Sequence, residues 1–363
     1  MQFTRDDTKV IKGIAIVLML YHHLFYFPQR ISDSIQYIPV LTYHNISSAY
    51  LLGEFGKICV ALFLFLGGYG TFLSFRKHAD DDKAGTQVVF TKIKYLYAEY
   101  WKVFIIFVPI CLLVGVERVV PDISAMIWNF SGLSISYCGE WWFFTTYVAL
   151  LFTYPIGRRL ICNQKTIFHD VFIVLMLGLF AEFILPCLYS YKWAAMLNKS
   201  LLWSIFSKML AYVPTFYMGC IFAKYDLLSM AKKRFSPGIK NVLLAFIVLL
   251  AVFFLRRKED AVYDFLFAPI VTVACTTILS CRIFKAFRWI LEKVGRESTT
   301  IWLVHSIYCY LLCQKIVFLP RYTFLIFLWL LLLSFCTSVV IRKLFGLLTY
   351  LVRKKKKQAV TNE

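Results

Sequence analysis

The chain has 363 residues, of which 60% are hydrophobic and only 17% are charged, and its mean hydropathy is +0.69. A soluble domain cannot bury so much apolar surface, so the composition excludes a soluble globular protein and indicates an integral membrane protein. The formal net charge of +20 does not indicate nucleic-acid binding, because the basic residues form short clusters between apolar runs. The eleven cysteines form no C-x-x-C pair, so we expect neither a disulfide framework nor a metal site.

Apolar runs, each about 20 residues long, follow one another along the chain and predict an all-α polytopic bundle of about ten transmembrane helices. The first half holds the runs near 10–27, 52–74, 97–116, 141–160 and 168–189. The second half holds the runs near 201–223, 239–256, 262–281, 299–318 and 322–341. We expect residues 1–345 to form this membrane domain and residues 346–363 to form a basic cytoplasmic tail.

The basic residues are distributed unevenly between the two sides of the predicted bundle. Most of the 40 Lys and Arg residues fall at the N-terminus, in every second connection and in the C-terminal tail. The opposite side holds Arg30, Arg118, Lys192, Lys199, Arg256, Arg257, Lys258, Lys315 and Arg321. Because cytoplasmic loops carry the excess of Lys and Arg, both termini are predicted to lie in the cytoplasm. The basic run at 353–357 would also be attracted to anionic membrane lipids.

The first apolar run contains one lysine and two adjacent histidines, Lys12, His22 and His23. Ionisable groups at membrane depth are costly, so they suggest a functional site. The spacing of Lys12 and His23 places them about 20° apart around a helix and about 16 Å apart along it, on one face. His22 is turned from Lys12 by about 80° the other way, so we expect that the two histidines cannot both line the same narrow cavity wall. We therefore select His23, which shares a helix face with Lys12, as the candidate site histidine.

Three further ionisable residues have both a structural and a functional interpretation. Glu54 and Glu140 stand at the outer starts of predicted helices, where a carboxylate is favoured by the helix dipole, yet either could orient His23. His305 lies inside the ninth apolar run. It either contributes to a functional site or forms a hydrogen bond with a neighbouring main-chain or side-chain group.

Loops on both sides of the predicted membrane carry residues suited to binding. The cytoplasmic loop 75–96 includes Lys92 and Lys94 among its basic residues, which would suit a polyanionic ligand, although positive-inside topology explains most of that charge. The external loops 28–51 and 117–140 hold aromatic and polar residues that could cap a cavity open to the outside. The remaining histidines are interpreted as surface groups: His44, His78 and His169.

Several motifs follow one another along nearly the whole chain. The opening helix has a basic residue, a glycine, an apolar run and a histidine, at Lys12, Gly13 and His23. The later motifs are the run 55–69 with its Gly67-Gly68 step, the aromatic run 141–144 with Tyr154-Pro155, and the segments 216–219 and 294–305. This set resembles the acyltransferase 3 family, integral membrane enzymes that move small acyl groups onto sugars and related acceptors. The chain departs from the family pattern in having Lys12 in place of arginine and Gly67 in place of serine.

The resemblance implies transfer of an acyl group, most commonly acetyl from acetyl-coenzyme A (acetyl-CoA), to a hydroxyl of a cell-surface glycan or lipid-linked sugar, with no permanently bound cofactor. His23 is the expected general base, because a neutral histidine can take the hydroxyl proton. The other residues expected to contact the donor or acceptor are Lys12, Lys92, Lys94, Glu54, Trp142 and His305. We also expect a bacterial plasma-membrane location and contacts with polysaccharide-assembly proteins.

Two other classes of function remain open from the sequence. A transporter or flippase of polysaccharide intermediates would use Lys12, His23, Glu54 and His305 along a substrate or proton pathway. The absence of matching Gly/Pro-broken segments in the two halves weighs against it. A non-catalytic assembly partner of a polysaccharide synthase would tolerate replacement of His23.

Overall fold

The structure is a computed structural model, and it describes residues 2–43, 46–76, 84–162, 166–184, 187, 200–259 and 263–361. In chain order the described α-helices are α1 (Arg5–Phe25), α2 (Ser48–Gly56), α3 (Cys59–Arg76), α4 (Ala84–Val114), α5 (Ile123–Phe130), α6 (Trp142–Gly157), α7 (Ile167–Leu179), α8 (Leu201–Lys224), α9 (Leu227–Arg234), α10 (Ile239–Glu259), α11 (Asp264–Leu279), α12 (Lys285–Arg296), α13 (Ser298–Ser306), α14 (Gln314–Val317) and α15 (Thr323–Thr361). The π-helical turns are Arg158–Cys162, Phe180–Ile184 and Ile307–Leu312, and the 3-10 turns are Pro28–Arg30, Gly139–Trp141 and Arg282–Phe284.

Extended structure is confined to the loop between α1 and α2 in the part of the chain that is described. Strands β1 (Thr42–Tyr43) and β2 (Ile46–Ser47) form a two-residue antiparallel ribbon. Ile38 pairs with the segment before α15: its main-chain N–H donates to Arg321 O at 2.7 Å, and its carbonyl accepts from Thr323 N–H at 3.1 Å. The loop that follows α1 is thereby tied to the start of α15.

Seven described helices are long and apolar enough to cross a membrane: Arg5–Phe25, Ser48–Arg76, Gly85–Val114, Ile167–Ile184, Leu201–Lys224, Ile239–Arg257 and Thr323–Lys354. An eighth candidate is the pair α11 and α12, which is bent by 91°. The predicted runs 141–160 and 299–318 form α6 and α13, which are 16 and 9 residues long before each passes into a π-helical turn. The all-α membrane class is confirmed, whereas ten spans and cytoplasmic termini stay predictions.

A buried carboxylate holds the N-terminal turn of α1. Asp7 is 1% exposed and accepts hydrogen bonds from Lys232 Nζ at 2.7 Å and Arg288 Nη2 at 2.8 Å. Asp7 and Thr4 also form a capping box, in which each main-chain N–H donates to the other side chain. Since Lys232 lies on α9 and Arg288 on α12, these pairs fasten the start of α1 to both helices.

Glycines allow α1 and α12 to approach at backbone distance. A Cβ added at Gly13 of α1 would overlap the carbonyl oxygen of Leu291, and one at Gly295 of α12 would overlap the carbonyl oxygen of Lys9. Helix pairs in membranes commonly use small residues in this way, because close backbones gain van der Waals contact. The contact fixes the rotation of α1 and therefore the direction of its Lys12 and His23 side chains.

Helix α15 is longer than a bilayer requires. It has 39 residues, which corresponds to about 58 Å, against about 30 Å for the hydrocarbon core. The helix continues without a break from residue 345 to Thr361, so the boundary predicted at 345/346 falls inside one helix. Glu297, at the start of α13, accepts hydrogen bonds from Ser338 and Arg342 of α15 and holds the two helices together.

Candidate active site

A polar cavity of about 570 Å³ lies at the C-terminal end of α1. We call it the outer cavity, after the side predicted to face the outside. Its lining combines ionisable side chains with large aromatic ones. The ionisable residues in the lining are His22, His23, Arg30, Lys57, Arg118 and Glu140, and the aromatic ones include Phe27, Phe63, Trp142, Phe143, Tyr212, Trp302 and Tyr310.

His23 lies in the last turn of α1 and lines the outer cavity. Its ring packs against that of His305 on α13, with centroids 4.8 Å apart and planes tilted by 46°. The hydroxyl of Tyr310, in the π-helical turn after α13, donates a hydrogen bond to the main-chain carbonyl of His23. His23 Nδ1 is buried and has no hydrogen-bond partner among the described residues. The histidine is thus held by its backbone and its ring face.

His22 also lines the outer cavity. The two histidines are adjacent on α1, so their side chains leave the helix about 100° apart, and whether they line one wall of the cavity stays a prediction. Since a carbonyl can only accept, His22 Nδ1 donates to Gly53 O of α2 at 2.8 Å. The rings of His22 and His23 are 5.1 Å apart.

Neither predicted carboxylate contacts His23. Glu140 lines the outer cavity, where it accepts a hydrogen bond from Arg30 Nη1 at 2.8 Å. Glu54 lies outside the lining of the described cavities and accepts from Arg257 Nε at 2.8 Å. The sequence placed both at helix starts, but only the folded chain shows that each has an arginine partner. Glu54 is therefore not brought to the site.

A second cavity of about 390 Å³, the middle cavity, lies between α1, α3, α4, α6 and α13. Lys12 and Lys92 both line it, together with Gly67, Tyr147 and Thr299. Within the described ranges neither lysine forms an ion pair. Two ammonium groups without a paired carboxylate make this cavity attractive to an anionic or strongly polar ligand.

Three aromatic side chains line both the outer and the middle cavity and separate them. This aromatic partition consists of Phe63, Phe143 and Trp302. The Phe143 and Trp302 rings meet edge to face at 5.2 Å, and the Phe63 and Phe143 rings are 6.2 Å apart. These ring contacts lie between the two cavities.

A third cavity, the inner cavity, has a volume of about 960 Å³ and lies at the N-terminal end of α1. Arg5 and Arg76 line it and are exposed, so the cavity reaches the protein surface. Thr91 and Lys92 line both this cavity and the middle one. Outer, middle and inner cavities therefore follow one another along α1, and each shares lining residues with the next.

The other predicted site residues fall in different places. Trp142 lines the outer cavity and stacks on Tyr212, with centroids 5.7 Å apart. His305 is fully buried against His23. Lys94 is exposed and does not line any of the three cavities. His44 and His78 lie outside the described residues, and His169 is exposed near the start of α7.

Sequence reasoning missed several residues of the site. Arg30 and Arg118 were counted only as outer-loop charges, and Tyr310 and Tyr147 were not singled out. Their neighbours in the cavities are more than a hundred residues away in the chain for the most part, so no local spacing indicates them. The three residues of the aromatic partition lie in three of the motifs, 55–69, 141–144 and 294–305, but no spacing indicates that these motifs meet.

The fold and the cavities define a multi-pass α-helical membrane protein with a histidine-bearing cavity at one end of α1 and a basic, surface-open cavity at the other. The family model described as an acyltransferase domain, Acyl_transf_3, matches residues 7–343, which is nearly the whole chain. The chain therefore belongs to the acyltransferase 3 family, as its motifs predicted, and is a membrane acyltransferase by family. No curated protein and no solved structure matched the chain.

Proposed function

We propose that this protein is an O-acyltransferase that moves an acetyl group from acetyl-CoA to a hydroxyl of a cell-surface glycan or lipid-linked sugar, with His23 as general base. The observation that carries the proposal is the series of three cavities along α1. It places basic side chains at one end and His23 at the other. The same proposal puts the protein in a bacterial plasma membrane, with polysaccharide-assembly proteins as its neighbours.

The basic end suits the donor. Acetyl-CoA carries phosphates on one end and the reactive thioester on the other. Arg5 and Arg76 of the inner cavity are exposed cations that would hold phosphates, and Lys92 and Lys12 follow further along the same route. On an ideal helix Lys12 and His23 are separated by about 16 Å. A long, thin donor arm that passes Lys12 would therefore bring its thioester towards His23.

The outer cavity suits the acceptor. Arg30, Arg118 and Glu140 supply hydrogen-bonding groups for sugar hydroxyls, and Trp142 and Phe27 supply flat apolar faces against which a sugar ring can pack. An acceptor hydroxyl in this cavity would stand beside His23.

The reaction follows from that arrangement. His23 takes the hydroxyl proton as the hydroxyl oxygen attacks the thioester carbonyl carbon, so that a carbon–oxygen bond forms. The carbon–sulfur bond then breaks, and the imidazolium of His23 returns the proton to the departing thiolate. Proton and acyl group are both accounted for, and the free thiol leaves by the route along which the donor came.

The test is acyl transfer by the purified protein, with labelled acetyl-CoA and a panel of surface glycans. We expect His23→Gln to lower the rate by about 10²- to 10⁴-fold, because it removes the base. His169→Gln, a change at an exposed histidine of α7, is the matched control and should transfer normally. Equal activity in native protein and His23→Gln would overturn the role of His23. Glycan movement across vesicles without any acylation would favour the transporter alternative.

A further inference from the structure

We propose that His305 is a positioning residue that sets the tautomer of His23. The main-chain carbonyl of Trp302 fixes the tautomer of His305, and His305 in turn fixes that of His23. The proposal rests on the proposed function, in which His23 needs a free ring nitrogen facing the acceptor. It assigns the hydrogen of each neutral ring: Nδ1–H on His305 and Nδ1–H on His23. The lone pair of His23 Nε2 is then the one available to the substrate.

The first step is the tautomer of His305. Its Nδ1 lies 2.5 Å from the main-chain carbonyl oxygen of Trp302. A carbonyl oxygen can only accept, so Nδ1 must carry the hydrogen. In the neutral ring Nε2 then has a lone pair and no hydrogen. This Nε2 is buried and has no hydrogen-bond partner in the described part of the chain.

The second step joins the two rings. His23 Nδ1 is likewise buried without a described partner, and the ring of His23 lies 4.8 Å from that of His305. Two buried polar atoms left unpaired are costly, whereas a donor and an acceptor satisfy each other. Because His305 Nε2 is the acceptor, His23 Nδ1 is the donor. A small ring rotation completes the direct bond from His23 Nδ1–H to His305 Nε2.

The opposite assignment is unfavourable. If His23 carried its hydrogen on Nε2, its Nδ1 lone pair would face the Nε2 lone pair of His305 inside the protein, and neither would be satisfied. The other nitrogen would then present a hydrogen to the acceptor hydroxyl and could not take its proton. Thus the carbonyl of Trp302 determines, through His305, which nitrogen of His23 acts as base.

The geometry also serves the protonated state. When His23 takes the hydroxyl proton, its Nδ1–H becomes part of an imidazolium and its bond to the neutral His305 acceptor strengthens. The π-helical turn Ile307–Leu312 follows His305 directly and brings Tyr310 to the main-chain carbonyl of His23. One short segment therefore contacts His23 twice, at its ring through His305 and at its main-chain carbonyl through Tyr310.

The test reads the tautomer directly. Protein labelled with ¹⁵N-histidine is examined by NMR in detergent micelles at about pH 8.5, about two units above the ordinary histidine pKa, and His23 is assigned by comparison with His23→Gln. We expect the native protein to show hydrogen on His23 Nδ1. His305→Leu should move it at least partly to Nε2. His305→Gln, whose side-chain oxygen can accept at the same reach, should restore Nδ1–H.

Activity gives the second readout. His305→Leu should lower kcat by at least about tenfold with the KM for acetyl-CoA unchanged, and His305→Gln should recover most of it. A native spectrum with hydrogen on His23 Nε2, or one that His305→Leu leaves unchanged, would overturn the proposal. If His305→Leu does not fold, a native spectrum with hydrogen on His23 Nε2 still overturns the proposal. Because the spectra need no turnover, absence of acyl transfer would refute the proposed function alone.

Discussion

At the scale of single residues, the two lysines near the third predicted span differ in surroundings although only one residue separates them. Lys92 lines both the middle and the inner cavity, and it forms no ion pair in the described ranges. Lys94 is exposed and points away from all three cavities. Residues two apart on a helix are about 200° apart around its axis, so they face nearly opposite directions. Lys92 and Lys94 therefore allow the effect of position to be compared for two side chains of equal charge.

We predict that Lys92→Met raises the KM for acetyl-CoA by about tenfold, about 1.4 kcal/mol, because it removes a cation from the donor route. Lys94→Met, which removes the same charge from an exposed position, should leave the KM unchanged. Steady-state kinetics with acetyl-CoA as the varied substrate measure both. Equal effects of the two changes would show that only the overall charge matters and that the cavities are not the donor route.

Spacing alone could relate Lys12 to His23, because both lie on one regular helix. The sequence predicted that they share one helix face, and in the structure they line successive cavities. Lys92 and Lys94 were treated alike, because a charge count does not say which face of α4 is buried. Glu54 was selected as a carboxylate near an outer helix end, and its pairing with Arg257 depends on α10, which is distant in the chain. Tertiary contacts therefore determine whether a residue such as Glu54 or Lys94 reaches the cavities.

At the scale of elements, α12 is a helix that the sequence did not reveal. It carries Lys285, Arg288, Lys293 and Arg296. The sequence indicated only a basic connection between two spans here, because the segment is amphipathic rather than continuously apolar. In the structure it turns sharply from α11 and packs against α1 through glycines on both helices. A hydropathy scan finds long apolar helices and misses one that lies across the end of a bundle.

We predict that Gly13→Ala destabilises the protein by about 1–3 kcal/mol and lowers activity, because its Cβ would overlap the carbonyl oxygen of Leu291 and push α12 from α1. Gly346→Ala in α15 is the matched control, since an added Cβ there meets no atom within 4 Å. Thermal unfolding in detergent compares the two variants. A loss of stability in Gly346→Ala as large as that in Gly13→Ala would argue against the close helix contact.

At the scale of the whole molecule, composition and hydropathy predicted an all-α membrane protein, and the structure has that architecture. The sequence predicts ten spans, whereas the described part of the chain holds seven or eight helices that are long and apolar enough to be candidate spans. The number of candidates is lower because α6 and α13 are short and pass into π-helical turns. No sequence pattern indicated three successive cavities. They arise where faces of α1, α3, α4, α6 and α13 meet, and their lining is visible only after folding.

The measurement that tests the central proposal most directly is transfer across a sealed membrane. Purified protein is reconstituted into vesicles that contain an accepted glycan, and labelled acetyl-CoA is added only outside. We predict that label enters the trapped glycan with native protein and not with His23→Gln, since the donor reaches His23 along the cavities from the opposite side. Transfer that occurs only when acetyl-CoA and glycan share one side of the membrane would contradict this account.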